Sequence, residues 1–172
     1  MNKILKKIGA KSLEEVIRKF NMPTRLSWPQ FNVPFAYYIL YDELSNIVKA
    51  GAVGIIPDKE PLDKALDKRI GTIRSGFIGY KIEIIFVFNN AKNVEFFETA
   101  MKKALYPYNV ANSEEGLEQY QCDSCNTGEF VVKKAMEAFE LLNFESQNSG
   151  HVMDRSLIVD YEKRRAENVK KK

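Results

Sequence analysis

The sequence predicts an α+β or mixed α/β domain built around a small sheet. Three observations point there. Apolar residues make up 45% of the chain, and eleven Phe with eight Tyr supply enough bulk for a core. Three segments are dense in branched and aromatic residues, as strands are. Between and after them, apolar residues recur at helical spacing, in the order β-β-α-β-α-α.

The elements follow in order. Residues 12–20, SLEEVIRKF, predict a helix: Ser12 and Glu15 form a capping box, and Leu13, Val16, Ile17 and Phe20 form one apolar face. Pro23, Pro29 and Pro34 then punctuate a loop that holds the sole tryptophan, Trp28. Trp28 either pins that loop to the core or stacks on a base. AYYILYDE (36–43) predicts a strand, and LSNIV turns into a second one, NIVKAGAV, as a hairpin. GIIPDKEP is a loop. From Pro61 the positions Leu62, Ala65, Leu66, Ile70 and Ile73 predict a helix that SGFIG breaks. YKIEIIFVF (80–88) reads as a strand with Ile82, Ile84, Phe86 and Phe88 on one face. NNAKNVEFFETAMKKAL predicts the next helix, and YPYNVANSEEG a loop. GEFVVKKAMEAFELL places Val132, Ala135, Met136, Phe139 and Leu142 on one helical side. ESQNSGH reads as a linker, and the chain from Met153 as a helix ending in charge.

A length of 172 residues suits about one domain. The net charge of +3 is too small to argue for nucleic acid by itself. The start, MNKILKKIGAKS, is too short and interrupted to read as a signal peptide. No segment reaches the roughly 18 apolar residues of a membrane span. The expectation is a soluble, cytoplasmic protein with no membrane partner.

Three polar residues break the local pattern. Glu98 lies beside the apolar stripe of Val94 and Met101; Arg69 projects toward the side of Leu66 and Ile73; Tyr38 adjoins Tyr37, so one of the two rings must face inward or into a cleft. A buried carboxylate or guanidinium is tolerable when paired. Two readings are open. One is a structural salt bridge between Arg69 and Glu98. The other is a polar pocket suited to phosphodiester hydrolysis. There a carboxylate would hold Mg²⁺, whose preference is for hard oxygen ligands. Arg would offer phosphate a planar, permanently charged fork. A Tyr could deprotonate water where a nearby cation lowers its pKa.

Over residues 35–110 the chain resembles the GIY-YIG nuclease family, in particular the N-terminal nuclease domain of bacterial excision-repair endonuclease subunits. Ala36-Tyr37-Tyr38 stands at the GIY motif, and Lys49-Ala50-Gly51, eleven residues after Tyr38, at YIG or KIG. LDKRI is similar to the family's LxxRL helix and puts Arg69 on its active-site Arg. ETAMKKALYPYN is similar to the helix that carries the family's metal-binding Glu, here Glu98, and runs into PxYN. The departures are Ala36 and Tyr37 for Gly and Ile, Lys49 for Tyr, an added loop AVGIIPDKEP, and Ile73 where many members carry His or Tyr.

The resemblance implies a small, mostly antiparallel three-stranded sheet flanked by helices over residues 35–145. Residues 1–34 would add an N-terminal helix and Pro-rich loop, and 146–172 a linker and basic helix. It implies a DNA endonuclease using Mg²⁺ or Mn²⁺ on Glu98. Tyr38 would activate water, Arg69 would stabilise developing charge, and Lys49 would take an auxiliary part. Gly51 would let backbone approach the site, and Asn109 would brace the loop. A stand-alone domain of this size suits a phage or restriction-type enzyme, and cutting both strands with one site suits a homodimer. A fold that has lost its chemistry and binds nucleic acid or protein is the alternative.

The segment YEKRRAENVKKK has six Lys or Arg against two Glu. Arg164 and Arg165 there, with Arg74 and Lys81, are candidates to contact phosphates, as such residues do through counterion release; a solvated terminus is the alternative. Cys122 and Cys125 form one CxxC, half of a zinc knuckle. Two ordinary thiols, a shared zinc or dimer-bridging site, and a redox pair are the readings open to it.

Overall fold

A computed structural model describes residues 35–54, 62–76, 79–110, 118–146 and 150–170. The expected helix at 12–20, Trp28 and the loop 55–60 lie outside the described residues. Five strands and four helices are present among the described residues: β1 (Phe35–Asp42), β2 (Ile47–Gly54), α1 (Leu62–Gly76), β3 (Lys81–Phe88), α2 (Ala91–Leu105), β4 (Gln119–Gln121), α3 (Thr127–Ser146), β5 (Gly150–Val152) and α4 (Arg155–Lys170). A single 3-10 turn, Tyr106–Tyr108, follows α2.

The class is α+β. The sheet runs β4-β2-β1-β3-β5, and every pairing is antiparallel. The expected three strands are therefore its centre, and two strands of three residues each extend its edges. Such strands are too short for alternation to register. One lies between the expected loop and the cysteines, and the other overlaps the end of the expected linker.

β1 sits in the middle with both faces covered. Tyr37, Ile39, Val48, Ala50, Phe86 and Phe88 pack against Phe97, Met101 and Leu105 of α2 and Val131, Ala135 and Phe139 of α3. Ala36, Tyr38, Leu40, Ile82, Ile85 and Val87 pack against Leu66 and Ile70 of α1 and Ile158 of α4. Hence Tyr37 and Tyr38 are both fully buried, one on each face. The sequence placed only one of them inward. A register shift between Ile39 and Leu40 opposes Ile39 to Ile84 and Leu40 to Ile82. Ile82 thus turns to the α1 and α4 face instead of joining Ile84, Phe86 and Phe88.

Local chemistry fixes the ends. Asn90 caps α2, its Oδ1 accepting from Asn93 N at 2.9 Å. Asn46 takes the left-handed conformation (φ 55°) in the β1–β2 turn. Its Oδ1 accepts from Tyr41 OH and from Thr127 N, and its Nδ2 donates to the carbonyls of Cys122 and Cys125. This one side chain therefore ties the hairpin to the start of α3.

Candidate functional site

The candidate residues meet where β4 stops beside β2. β4 pairs with Ile47, Val48 and Lys49. One further bond, Ala50 N to Glu118 O at 3.0 Å, ends the ladder. Gly51 lies opposite Tyr38 on β1, and Lys49 opposite Leu40, so Lys49, Gly51 and Tyr38 share the α1 face. α1 brings Arg69 to them: its Nε donates to Tyr38 OH at 3.1 Å. α2, on the other face, brings Glu98 and Lys102 to the same edge.

Gly51 is the hinge of the arrangement. A Cβ there would stand 2.7 Å from Tyr38 OH and 2.7 Å from Glu118 Oε2. With no side chain at this position, a phenol oxygen and a carboxylate oxygen both close on the Gly51 backbone. The other oxygen of Glu118, Oε1, lies 2.7 Å from Lys102 Nζ, which is 3.2 Å from Glu98 Oε1. Glu98 and Glu118 expose 24% and 13% of their side chains and Lys102 50%, so the rim is wet. Lys49 and Tyr38 form a dry floor.

Electrostatics follow from that geometry. Burial pushes the Glu98 carboxyl above the usual carboxylate range, and the Glu118 side chain adds to the shift by hydrogen bonding and repulsion; Lys102 opposes it. Burial also lowers the Lys49 ammonium, with Arg69 and Lys102 adding to that, against the pull of Glu118. Burial raises the Tyr38 phenol, and Arg69 offsets this only in part. The sequence called for a lowered phenol if Tyr38 were to take a proton. In the protein as it stands the phenol keeps its proton, because burial outweighs the single guanidinium.

Glu98 pairs with Lys102, and Arg69 with Tyr38, so neither uses the Arg69–Glu98 bridge weighed from the sequence. Asn109 bridges to Tyr120 of β4, and its N–H donates to Tyr106 O. The basic candidates lie apart from this cluster in their bonding. Arg74 makes a double hydrogen bond to Glu162, tying α1 to α4. Lys81 is exposed. Arg164 lines an apolar cavity of about 290 Å³ with Leu66, Ile70, Ile85 and Met153. The side chain of Arg165 is outside the described ones.

Cys122 and Cys125 are joined in a disulfide, which replaces the expectation of two thiols. The pair lies in the turn between β4 and α3. Among the described residues no three His, Cys, Asp or Glu side chains are grouped to hold a metal. No described helix is long and apolar enough to cross a membrane.

Glu118 and Lys102 are members of the cluster that sequence reasoning missed. Lys102 had a signal, since it stands four residues after Glu98 on one helix face. Glu118 had none: it is one of three Glu in a polar stretch, SEEGLEQY. Comparison with protein-family models, curated proteins and solved structures finds no match.

Proposed function

We propose that the chain is a Mg²⁺-dependent DNA endonuclease with a GIY-YIG-type site. The observation that carries this reading is the meeting of Tyr38, Lys49, Arg69 and Glu98, widely separated in sequence, at the sheet edge around Gly51. The donor set fits a hard divalent cation. Glu98 presents a half-buried carboxylate beside a second one, and Mg²⁺ usually takes only one or two protein carboxylates and completes its shell with water and phosphate oxygens. When bound, the ion would supply charge stabilisation for the leaving 3′ oxygen.

The remaining work falls to the chain's own groups. Arg69 offers its guanidinium to a phosphate oxygen, and its bond to Tyr38 holds the fork in place. Lys49 adds positive charge from the floor. Tyr38 orients the attacking water through its hydroxyl; losing the phenol proton is favoured only as more positive charge arrives beside it. DNA is the partner this chemistry suits, and a homodimer is the form in which one site per chain would cut both strands.

The full burial of Tyr38 and its raised phenol favour a second reading, a nucleic-acid- or protein-binding module that keeps the fold without the chemistry. Incubation of supercoiled plasmid with Mg²⁺ separates the two. Nicking that disappears in both Glu98→Ala and Arg69→Ala supports the enzyme. DNA retention without nicking, unchanged by EDTA, supports the module.

A further inference from the structure

The cavity of about 290 Å³ between α1, β3 and α4 has no task in the nuclease reading. Its place follows from how α4 is held. Met153 N, just before the helix, donates to Ile85 O of β3 at 2.8 Å, and Tyr161 OH donates to Asp67 of α1 at 2.8 Å. The cavity lies between these two ties, since Met153 and Tyr161 both line it. Leu66, Ile70, Ile85 and Ile158 are buried and form its floor. Leu157, 57% exposed, and Arg164, also exposed, stand at its rim.

Size and chemistry narrow what such a space takes. An apolar cavity of about 150 Å³ holds a benzene ring, so this one suits an apolar body of about a dozen carbons at most. The floor is wholly aliphatic, and hydrocarbon is its complement. The rim adds a polar requirement. Arg164 uses only its Nε within the protein, on Asp160 O at 3.4 Å; its two terminal nitrogens have no hydrogen-bond or ion-pair partner among the described residues. Two acids on this side are engaged elsewhere, Glu162 by Arg74 and Asp67 by Tyr161. A guanidinium fork of this kind matches a carboxylate in shape as well as charge.

We propose that the cavity binds a single-chain alkyl carboxylate of medium length, its tail on the aliphatic floor and its carboxylate on Arg164. This stands apart from the nuclease reading and holds or falls without it. The full chain is titrated by calorimetry with saturated carboxylates from octanoate upward, and with octanamide, which has the same tail and a neutral head. Octanoate binds one to one. Each added methylene tightens binding by about fourfold while it is buried, and the gain stops once the tail outgrows the cavity. Arg164→Gln weakens octanoate by about five- to tenfold, because water reaches the rim and tempers the charged bond, and it leaves octanamide unchanged. Leu157→Glu sets a like charge at the rim and also weakens octanoate.

Circular dichroism checks the fold of each variant, and should Arg164→Gln fail to fold, Leu157→Glu carries the charge test. No saturable uptake by the wild type overturns the proposal. So does equal octanoate affinity in the wild type and the charge variant, or a gain that continues unbroken to hexadecanoate, which is the behaviour of a surfactant on any apolar surface. Sedimentation tests the competing occupant. A dimer that Leu157→Glu separates, with no octanoate uptake by the wild type, assigns this face to a second copy of the chain and overturns the ligand site.

Discussion

Single residues decide both where the site forms and what it costs. Glu98 illustrates the cost. Its carboxyl titrates higher in the folded chain than in the unfolded one, chiefly through burial and then through Glu118. The folded state therefore favours the neutral form, and stability is lost as pH rises from the ordinary carboxylate range through the raised value. Glu98→Gln is neutral at every pH. It is expected to melt above wild type at neutral pH, with the gap closing on acidification; equal melting temperatures at neutral pH would contradict this. Gly51→Ala should act in the opposite sense, since its methyl would strike Tyr38 OH and Glu118 Oε2. Overpacking of that kind costs about 1–3 kcal/mol. Asn46→Ala removes four hydrogen bonds and leaves a β-carbon in a left-handed turn. Net terms of about 1 kcal/mol per bond put its loss near 2–4 kcal/mol in urea denaturation. The short Cys122–Cys125 loop contributes about 2 kcal/mol or less by closure entropy. Asn46 should therefore matter more than the disulfide it grips. The polar residues on apolar stripes were legible in the sequence because Arg69, Glu98 and Tyr38 violate a period. Glu118 was not, because an acid in a polar stretch violates nothing.

At the scale of elements, α2 is where packing positions a candidate site residue. Phe97 touches Tyr37 edge-on at 5.0 Å and lies 5.0 and 5.1 Å from Phe86 and Phe88, ring centre to ring centre. Phe139 of α3 closes the cluster. The neighbouring residue is Glu98, so the angle at which α2 seats Phe97 sets where that carboxylate reaches the sheet edge. Phe97→Ala should cost about 3–5 kcal/mol, measured by urea denaturation. A loss under about 1 kcal/mol would mean that α2 is held by its other contacts, Val94, Met101 and Leu105. The long elements were legible from period alone. The short ones were not, for physical reasons. β4 and β5 are three residues each, and they exist because β2 and β3 present unpaired edges to them. The bulge opposite Leu40 is a property of the pairing between strands, so no alternation rule within YKIEIIFVF could place Ile82.

At the scale of the whole molecule, the described residues form a sheet covered on both sides, and α4 shares the second cover with α1. The sequence set residues 146–172 apart as a linker and basic helix. In the fold, β5 pairs with β3, Met153 N donates to Ile85 O at 2.8 Å, and Ile158 is 2% exposed against Leu66 and Ile70. Glu162 takes the Arg74 guanidinium and accepts from Ile82 N at 3.1 Å, while Tyr161 OH donates to Asp67. A chain ending at Ser146 would strip that cover from the face that holds Tyr38. Losing a buried aliphatic side chain costs about 2–5 kcal/mol. The same truncation removes the Glu162 carboxylate that Arg74 and Ile82 N bond to, at about 1 kcal/mol per bond. Together these approach the whole stability of a domain, roughly 5–15 kcal/mol. The shortened chain is therefore expected to lose its cooperative melt and to bind a hydrophobic dye. The milder Glu162→Gln should lower the melting temperature and keep the transition sharp. If the shortened chain melted cooperatively at the wild-type temperature, α4 would be an accessory that grips DNA rather than half of the wall behind Tyr38 and Arg69.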